Sequence, residues 1–106
     1  MDESRAVTGI DWSRVRFTEH MTEAAAVVGA CRVVFDFDGR EQATYAVEVL
    51  RALKGPAPRP YFALGTNVAD PGAYRPLGEG DTPEEAVEAC LAAAGVHHRR
   101  RLRQQP

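Results

Sequence analysis

Residues 40–54, REQATYAVEVLRALK, decide the fold, because two different elements fit them. Read as a strand, the segment places its alternate apolar side chains on one face, those of Ala43, Tyr45, Val47 and Val49. Read as a helix, it carries an apolar stripe followed by a Gly-Pro stop at 55–56. The β-branched and aromatic residues favour the strand. The sequence therefore predicts a strand over 41–50, with a helical turn left open for 50–54.

The preceding stretch, residues 31–37, alternates between two faces in the way that is typical of a half-buried strand. It ends at Asp38-Gly39, a strong turn dipeptide. If residues 38–40 form the loop, the two strands pair as a hairpin. Phe35, Val33 and Cys31 then stand opposite the first three members of the apolar face described above.

The best-specified helix lies in residues 78–95, GEGDTPEEAVEACLAAAG. Thr82 and Glu85 have the spacing of a capping box, and Pro83 takes the first helical position. Gly95 is the predicted stop. The narrow apolar face of this helix should dock on a sheet. It consists of Ala86, Val87, Cys90, Leu91 and Ala94.

The rest of the chain predicts a helix over 18–29, a strand over 61–65 and a short strand over 74–77. The resulting fold class is α+β, a small antiparallel three- or four-stranded sheet in α-β-β-β-α order with both helices on one face. The alternative is an α/β chain with a βαβ unit at 31–66, which requires the helical reading of 40–54.

The chain of 106 residues is expected to hold a disordered N-terminus at 1–11, one domain at 12–96 and a basic tail at 97–106. No apolar run approaches the ~20 residues of a membrane span, and no secretory signal is visible. Cys31 and Cys90 are predicted to be two buried thiols in a reducing compartment, with a disulfide as the alternative. We therefore expect a cytoplasmic protein without a membrane partner.

The net charge of −2 is unevenly distributed. Without the four arginines of the tail, nine Lys and Arg residues face fifteen Asp and Glu residues, a charge of −6. A uniformly basic nucleic-acid binder would not have this pattern. Nucleic acid or an acidic partner could be contacted only through the tail, whose alternative role is that of a solvated terminus. The candidate binding residues are Arg99, Arg100, Arg101 and Arg103.

Residues 61–94, YFALGTNVADPGAYRPLGEGDTPEEAVEACLAAA, resemble HicB-like antitoxin domains. In that family a Tyr-x-Ala strand leads to a Pro-Gly turn and then to a Gly-Asp-Thr-x-Glu-Glu-Ala helix start. The resemblance implies a regulatory or partner-binding module. The same helix is similar to the last helix of double-stranded RNA-binding domains. Pro83 and Glu84 stand where that family places phosphate-binding lysines, and the carboxylates of the first turns would repel a nucleic-acid backbone.

Residues 33–39, VVFDFDG, are similar to the first motif of haloacid dehalogenase-like phosphatases. That resemblance implies that Asp36 attacks phosphorus, that Asp38 acts as general acid and base, and that Mg²⁺ is bound. Thr66-Asn67 looks like the second motif, in which a hydroxyl holds the phosphate. The alternative is a hairpin that carries both aspartates on its solvent face.

Taken together, these patterns favour a small non-catalytic binding or regulatory module over a reduced phosphatase fragment. No cofactor is expected, with Mg²⁺ implied only under the phosphatase alternative. A metal site is not expected either, because Cys90, His97 and His98 lack a fourth ligand. The predicted partner is a protein or a second copy of the chain, contacted through the sheet edge or the outer sheet face.

Overall fold

The computed structural model describes residues 10–55 and 57–104. After one turn of 3-10 helix at Trp12–Arg14, the chain forms four strands and a helix: β1 Ala24–Asp36, β2 Gln42–Lys54, β3 Tyr61–Asn67, β4 Leu77–Gly80 and α1 Pro83–Gln104. The strands pair antiparallel in the order β1-β2-β3-β4. Of the residues predicted to be disordered, 1–11, residues 1–9 lie outside the described residues.

The segment that decides the fold is a strand over the whole of β2. Its register against β1 is the predicted one, with Phe35 opposite Ala43 and Val33 opposite Tyr45. The predicted antiparallel α+β class is therefore confirmed. The helical turn left open for 50–54 and the βαβ alternative are wrong, because residues 50–54 stay in the sheet and pair with β1.

The helix predicted over 18–29 is wrong. Residues 24–29 belong to β1, and residues 18–23 lie outside any helix. Alanine favours a helix in isolation, but here Ala25 pairs with Ala52 and Val27 pairs with Leu50 in the long hairpin. Cross-strand pairing overrides local propensity, so the described chain has the order β-β-β-β-α with its helix at the C-terminal end.

Helix α1 begins at Pro83, as predicted, and the Thr82 hydroxyl accepts a hydrogen bond from the backbone N–H of Glu85 at 3.2 Å. The Glu85 carboxylate accepts from the N–H of Asp81 rather than from that of Thr82. The predicted stop at Gly95 is wrong, since the helix continues through Gln104. The expected boundary between domain and tail at 96/97 therefore falls inside a regular helix.

The core lies between α1 and one face of the sheet. Helix α1 covers β4, β3 and part of β2, and it makes few contacts with β1. Cys90 is buried as predicted, whereas Cys31 on β1 is exposed, so its predicted burial is wrong. The buried apolar residues that form this core are Ala43, Tyr45, Val47, Val49, Tyr61, Ala63, Ala86, Cys90 and Ala94.

Strand β4 approaches the helix so closely that only glycine fits. A Cβ atom on Gly78 would lie 2.2 Å from the carbonyl oxygen of Ala86 and 2.2 Å from the backbone nitrogen of Cys90. Contacts this short would force the backbone to move. In the described part of the chain, no helix is both long enough and apolar enough to cross a membrane.

Candidate interaction surface

The side of the sheet that faces away from α1, which we call the outer face, carries large apolar side chains. The register places Leu50 opposite Phe62, Leu64 opposite Leu77, and Val27 opposite Leu50. Directly opposite residues point to the same side of a sheet, so these side chains form one group that crosses all four strands. We call this group the outer cluster: Val27, Leu50, Phe62, Leu64 and Leu77.

A hollow of about 390 Å³ lies at one end of the outer face. Its floor includes Phe62, Leu64 and Leu77 of the outer cluster, and charged side chains stand at its rim. Two of the rim cations already have partners. The Lys54 ammonium donates to the carbonyl oxygen of Thr18 at 2.9 Å, and the Arg59 guanidinium forms an ion pair with Asp81 at 3.1 Å. The hollow therefore suits an apolar group better than an anion.

A second depression, of about 550 Å³, lies on the other side of the sheet between β1 and α1. Its walls include Val28 from β1 and Val87 from α1, with Val49 between them. It exists because the helix does not cover β1. In the described part of the chain, β1 thus has one long edge that pairs with no other strand, beside an open apolar groove.

Three polar side chains meet where the end of α1 crosses the β1–β2 hairpin. The Glu41 carboxylate lies 2.6 Å from Nδ1 of His98, and Nε2 of His98 lies 2.6 Å from the Tyr45 hydroxyl. A carboxylate only accepts, so Nδ1 donates to Glu41, and in the neutral imidazole Nε2 then accepts from the Tyr45 hydroxyl. Phe37 stacks on the imidazole with the ring centroids 5.4 Å apart.

This group has the composition of a proton relay, but it is closed to solutes. Tyr45 is 1% exposed and His98 is 2% exposed. Burial raises the pKa of the Tyr45 hydroxyl, against the opposing effect of a hydrogen bond with Asn67. The hydroxyl is closed to solutes, and the arrangement joins the helix to the hairpin.

The residues of the predicted phosphatase site are not brought together. Asp36 accepts a hydrogen bond from the N–H of Gly39 at 2.8 Å, and Asp38 occupies the turn with φ +58°. Thr66 lies two strands across the sheet and four residues along it from Asp36, a separation on the order of 15 Å. Among the described residues, no three His, Cys, Asp or Glu side chains are grouped so as to hold a metal ion.

The four arginines of the predicted binding tail lie on α1. Arg101 forms an ion pair with Glu41 at 3.4 Å, which links it to the buried group. Arg99, Arg100 and Arg103 are exposed. These arginines therefore belong to a regular helix, whereas the sequence predicted a basic tail at 97–106.

Sequence reasoning missed the role of His98 and the extent of the outer cluster. A signal for the first was present, because positions 86, 90, 94 and 98 share one helical face and His98 extends the apolar stripe past Gly95. A signal for the second was the apolar residues at alternate positions of the other strand face, such as Phe62 and Leu64.

Comparisons of the chain with protein families, with curated proteins and with solved structures found no match. Function is therefore argued from the two uncovered apolar surfaces, the free edge of β1 and the arginines of α1. Of these features, the outer cluster is the one that crosses all four strands.

Proposed function

We propose that this chain is a small non-catalytic binding or regulatory module that holds a protein partner on its outer face. The observation that carries the proposal is the outer cluster, five large apolar side chains on the side of the sheet that α1 does not cover. The partner's contact region is expected to be apolar at its centre and polar at its rim.

An antiparallel sheet with one solvated face ordinarily alternates apolar and polar residues across it. Here the outer cluster departs from that rule, with Val27 47% exposed and Leu77 50% exposed, while Glu48 and Glu79 lie beside it on the same side. Single exposed apolar residues need no explanation, but a contiguous group of this kind marks an interaction surface. A protein partner would remove this surface from water and gain the corresponding hydrophobic free energy.

Two features support a protein rather than a small molecule as the ligand. The outer cluster extends across the full width of the sheet, which is more than a small ligand would cover. The hollow at its end is open, and the charges on its rim that might orient a small ligand include Lys54 and Arg59, which are already paired.

The regulatory part of the proposal rests on the resemblance of residues 61–94 to HicB-like domains. The strand at Tyr61–Asn67, the turn after it and the capped start of α1 support the local pattern. No feature of the described residues favours the phosphatase alternative, which stays a prediction. The exposed arginines of α1 favour nucleic-acid contact as a second candidate function.

The decisive experiment captures the partner from the native host, purifies it and titrates it against three forms of the chain. Leu77→Glu places a charge in the outer cluster, and Val96→Glu is the matched control at an exposed apolar site on α1. We expect Leu77→Glu to weaken binding at least about tenfold and Val96→Glu to bind like the unchanged chain. Equal binding by Leu77→Glu and the unchanged chain would overturn the proposal.

A further inference from the structure

The two edges of the sheet are built differently. Strand β4 has four residues, whereas β1 has 13, and its residues 24–36 include no lysine and no proline. Natural sheets use such residues, bulges and short strands to prevent edge pairing. The register shift between Val27 and Gly29 interrupts the first half of β1, which leaves residues 30–36 as a regular free edge.

The hairpin closure shows which backbone groups this edge offers. The N–H of Phe37 donates to the carbonyl oxygen of Glu41 at 2.9 Å, so residue 37 directs its polar backbone groups towards β2. These groups alternate in direction along a strand. The even-numbered residues of the regular segment therefore point their N–H and C=O groups away from β2: Ala30, Arg32, Val34 and Asp36.

The sequence of this edge, RVVFD at 32–36, has its two opposite charges at equal distances from Val34. Arg32 and Asp36 are exposed, and neither has an ion-pair partner among the described residues. Val34 is 62% exposed, the most of any large apolar residue in the described chain. The segment is thus complementary to an antiparallel copy of itself.

We propose that two copies of the chain pair through β1 in the register that places Val34 opposite Val34 of the other copy. Arg32 then stands opposite Asp36 of the other copy, and this contact occurs twice. On the helix side, Val33 stands opposite Phe35 of the other copy. A register centred on Arg32 would place the two Arg32 side chains opposite each other. A register centred on Val33 would place Arg32 opposite Val34 of the other copy, so no ion pair would form there.

The paired copies form one continuous eight-stranded sheet with both α1 helices on the same side. The two β1 strands lie at its centre, between the helices, because α1 does not cover β1. The groove of about 550 Å³ beside each β1 then becomes half of a wider cleft. The outer faces of both copies become one surface, although the pairing itself does not depend on the function proposed for that surface.

Charge reversal tests the register, with the dissociation constant of the dimer measured by sedimentation over a wide concentration range. Arg32→Glu sets Glu against Asp36 at both contacts, and we expect the dissociation constant to rise at least about tenfold. Combining Arg32→Glu with Asp36→Lys should restore most of the affinity. Arg75→Glu, the same charge change at an exposed loop position, is the control and should leave the dissociation constant unchanged.

A second measurement remains informative if Asp36→Lys weakens the turn that Asp36 caps. In a Cys31→Ser background, Val34→Cys should form an intermolecular disulfide, because the two positions 34 are directly opposite. Ala30→Cys is the control, since its two copies would lie eight residues apart along the sheet, on the order of 26 Å, and should not cross-link.

Two outcomes would overturn the pairing: a monomer at millimolar concentration, or equal cross-linking at positions 30 and 34. Leu77→Glu should keep the dimer while losing the partner of the outer face. The two proposals therefore fail independently.

Discussion

His98 is distant in the sequence from both Tyr45 and Glu41, and the three side chains form one hydrogen-bonded group. The group stabilises the fold only when all of its hydrogen bonds are made, because a buried polar atom without a partner costs more free energy than a hydrogen bond contributes. Among the described residues, every buried side-chain nitrogen and oxygen atom has a partner. The end of α1 is thereby attached to the hairpin by a contact that tolerates little change.

Tyr45→Phe should lower the free energy of unfolding by about 1–2 kcal/mol, because Nε2 of the buried His98 loses its partner. Tyr74→Phe is the matched control at an exposed tyrosine and should change the free energy by less than about 0.5 kcal/mol. Urea unfolding at neutral pH measures both. Equal effects of the two substitutions would contradict the role assigned to the buried group.

We expect the burial of the Cys90 thiol to lower the stability of the fold at alkaline pH. Burial raises the pKa of its thiol above the usual value of 9.0, so the unfolded chain loses the proton at a lower pH than the folded chain. Its contribution to stability is complete below pH 9.0 and falls as the pH rises through the folded-state pKa, with a limiting slope of about 1.4 kcal/mol per pH unit.

Urea unfolding between pH 8 and pH 10 should therefore show a smaller decline for Cys90→Ala than for the unchanged chain. Cys31→Ala, at an exposed site, should retain most of the decline. The same slope in Cys90→Ala and the unchanged chain would exclude this thiol as the cause.

At the scale of elements, the contact between β4 and α1 depends on the absence of side chains. Gly78 pairs with Ala63 in the sheet and lies directly beneath the helix backbone. The short β4 is held as much by this contact as by its pairing with β3. The helix therefore lies over this edge strand, in contrast to β1.

Gly78→Ala should destabilise the fold by more than about 2 kcal/mol, because the added methyl group would meet backbone atoms rather than a movable side chain. Gly29→Ala, in β1, is the control, since a Cβ atom there meets nothing within 4 Å. Thermal unfolding distinguishes them. A Gly78→Ala melting temperature equal to that of Gly29→Ala would show that the close approach is not maintained in solution.

At the scale of the whole molecule, the charges are separated. Four arginines lie at the C-terminal end of α1, where cations interact favourably with the helix dipole. The rest of the chain has a net negative charge. Nucleic-acid contact would therefore be confined to one end. Deleting residues 97–106 cannot test it, because the deletion also removes the buried His98.

Replacing Arg99, Arg100 and Arg103 by glutamine keeps His98 and should leave the fold intact. If this end of the helix binds nucleic acid, the triple variant should bind more weakly and with a smaller dependence on salt concentration. Fluorescence anisotropy with labelled RNA and DNA between about 50 and 200 mM salt measures both quantities. Binding that the triple variant retains unchanged would exclude this function.

The start of α1, its apolar face and the register of the β1–β2 hairpin could be predicted from the residues alone. The reason is physical: a cap, a turn dipeptide and the alternation of apolar residues act over a few positions, and each is visible in the residues themselves. The resemblances concerned the same local patterns, which is why they described segments rather than the whole chain.

Only the tertiary structure decided that residues 24–29 form a strand, that α1 runs past Gly95 and that Cys31 is exposed. Each of these features depends on a partner that is distant in the sequence. Residues 24–29 pair with residues 49–54, and the helix beyond Gly95 is held where His98 meets Glu41 and Tyr45. Cys31 is exposed because α1 lies over β2–β4 and not over β1. Burial and pairing with such partners outweigh the small differences in local propensity, so a single stretch of sequence could not reveal them.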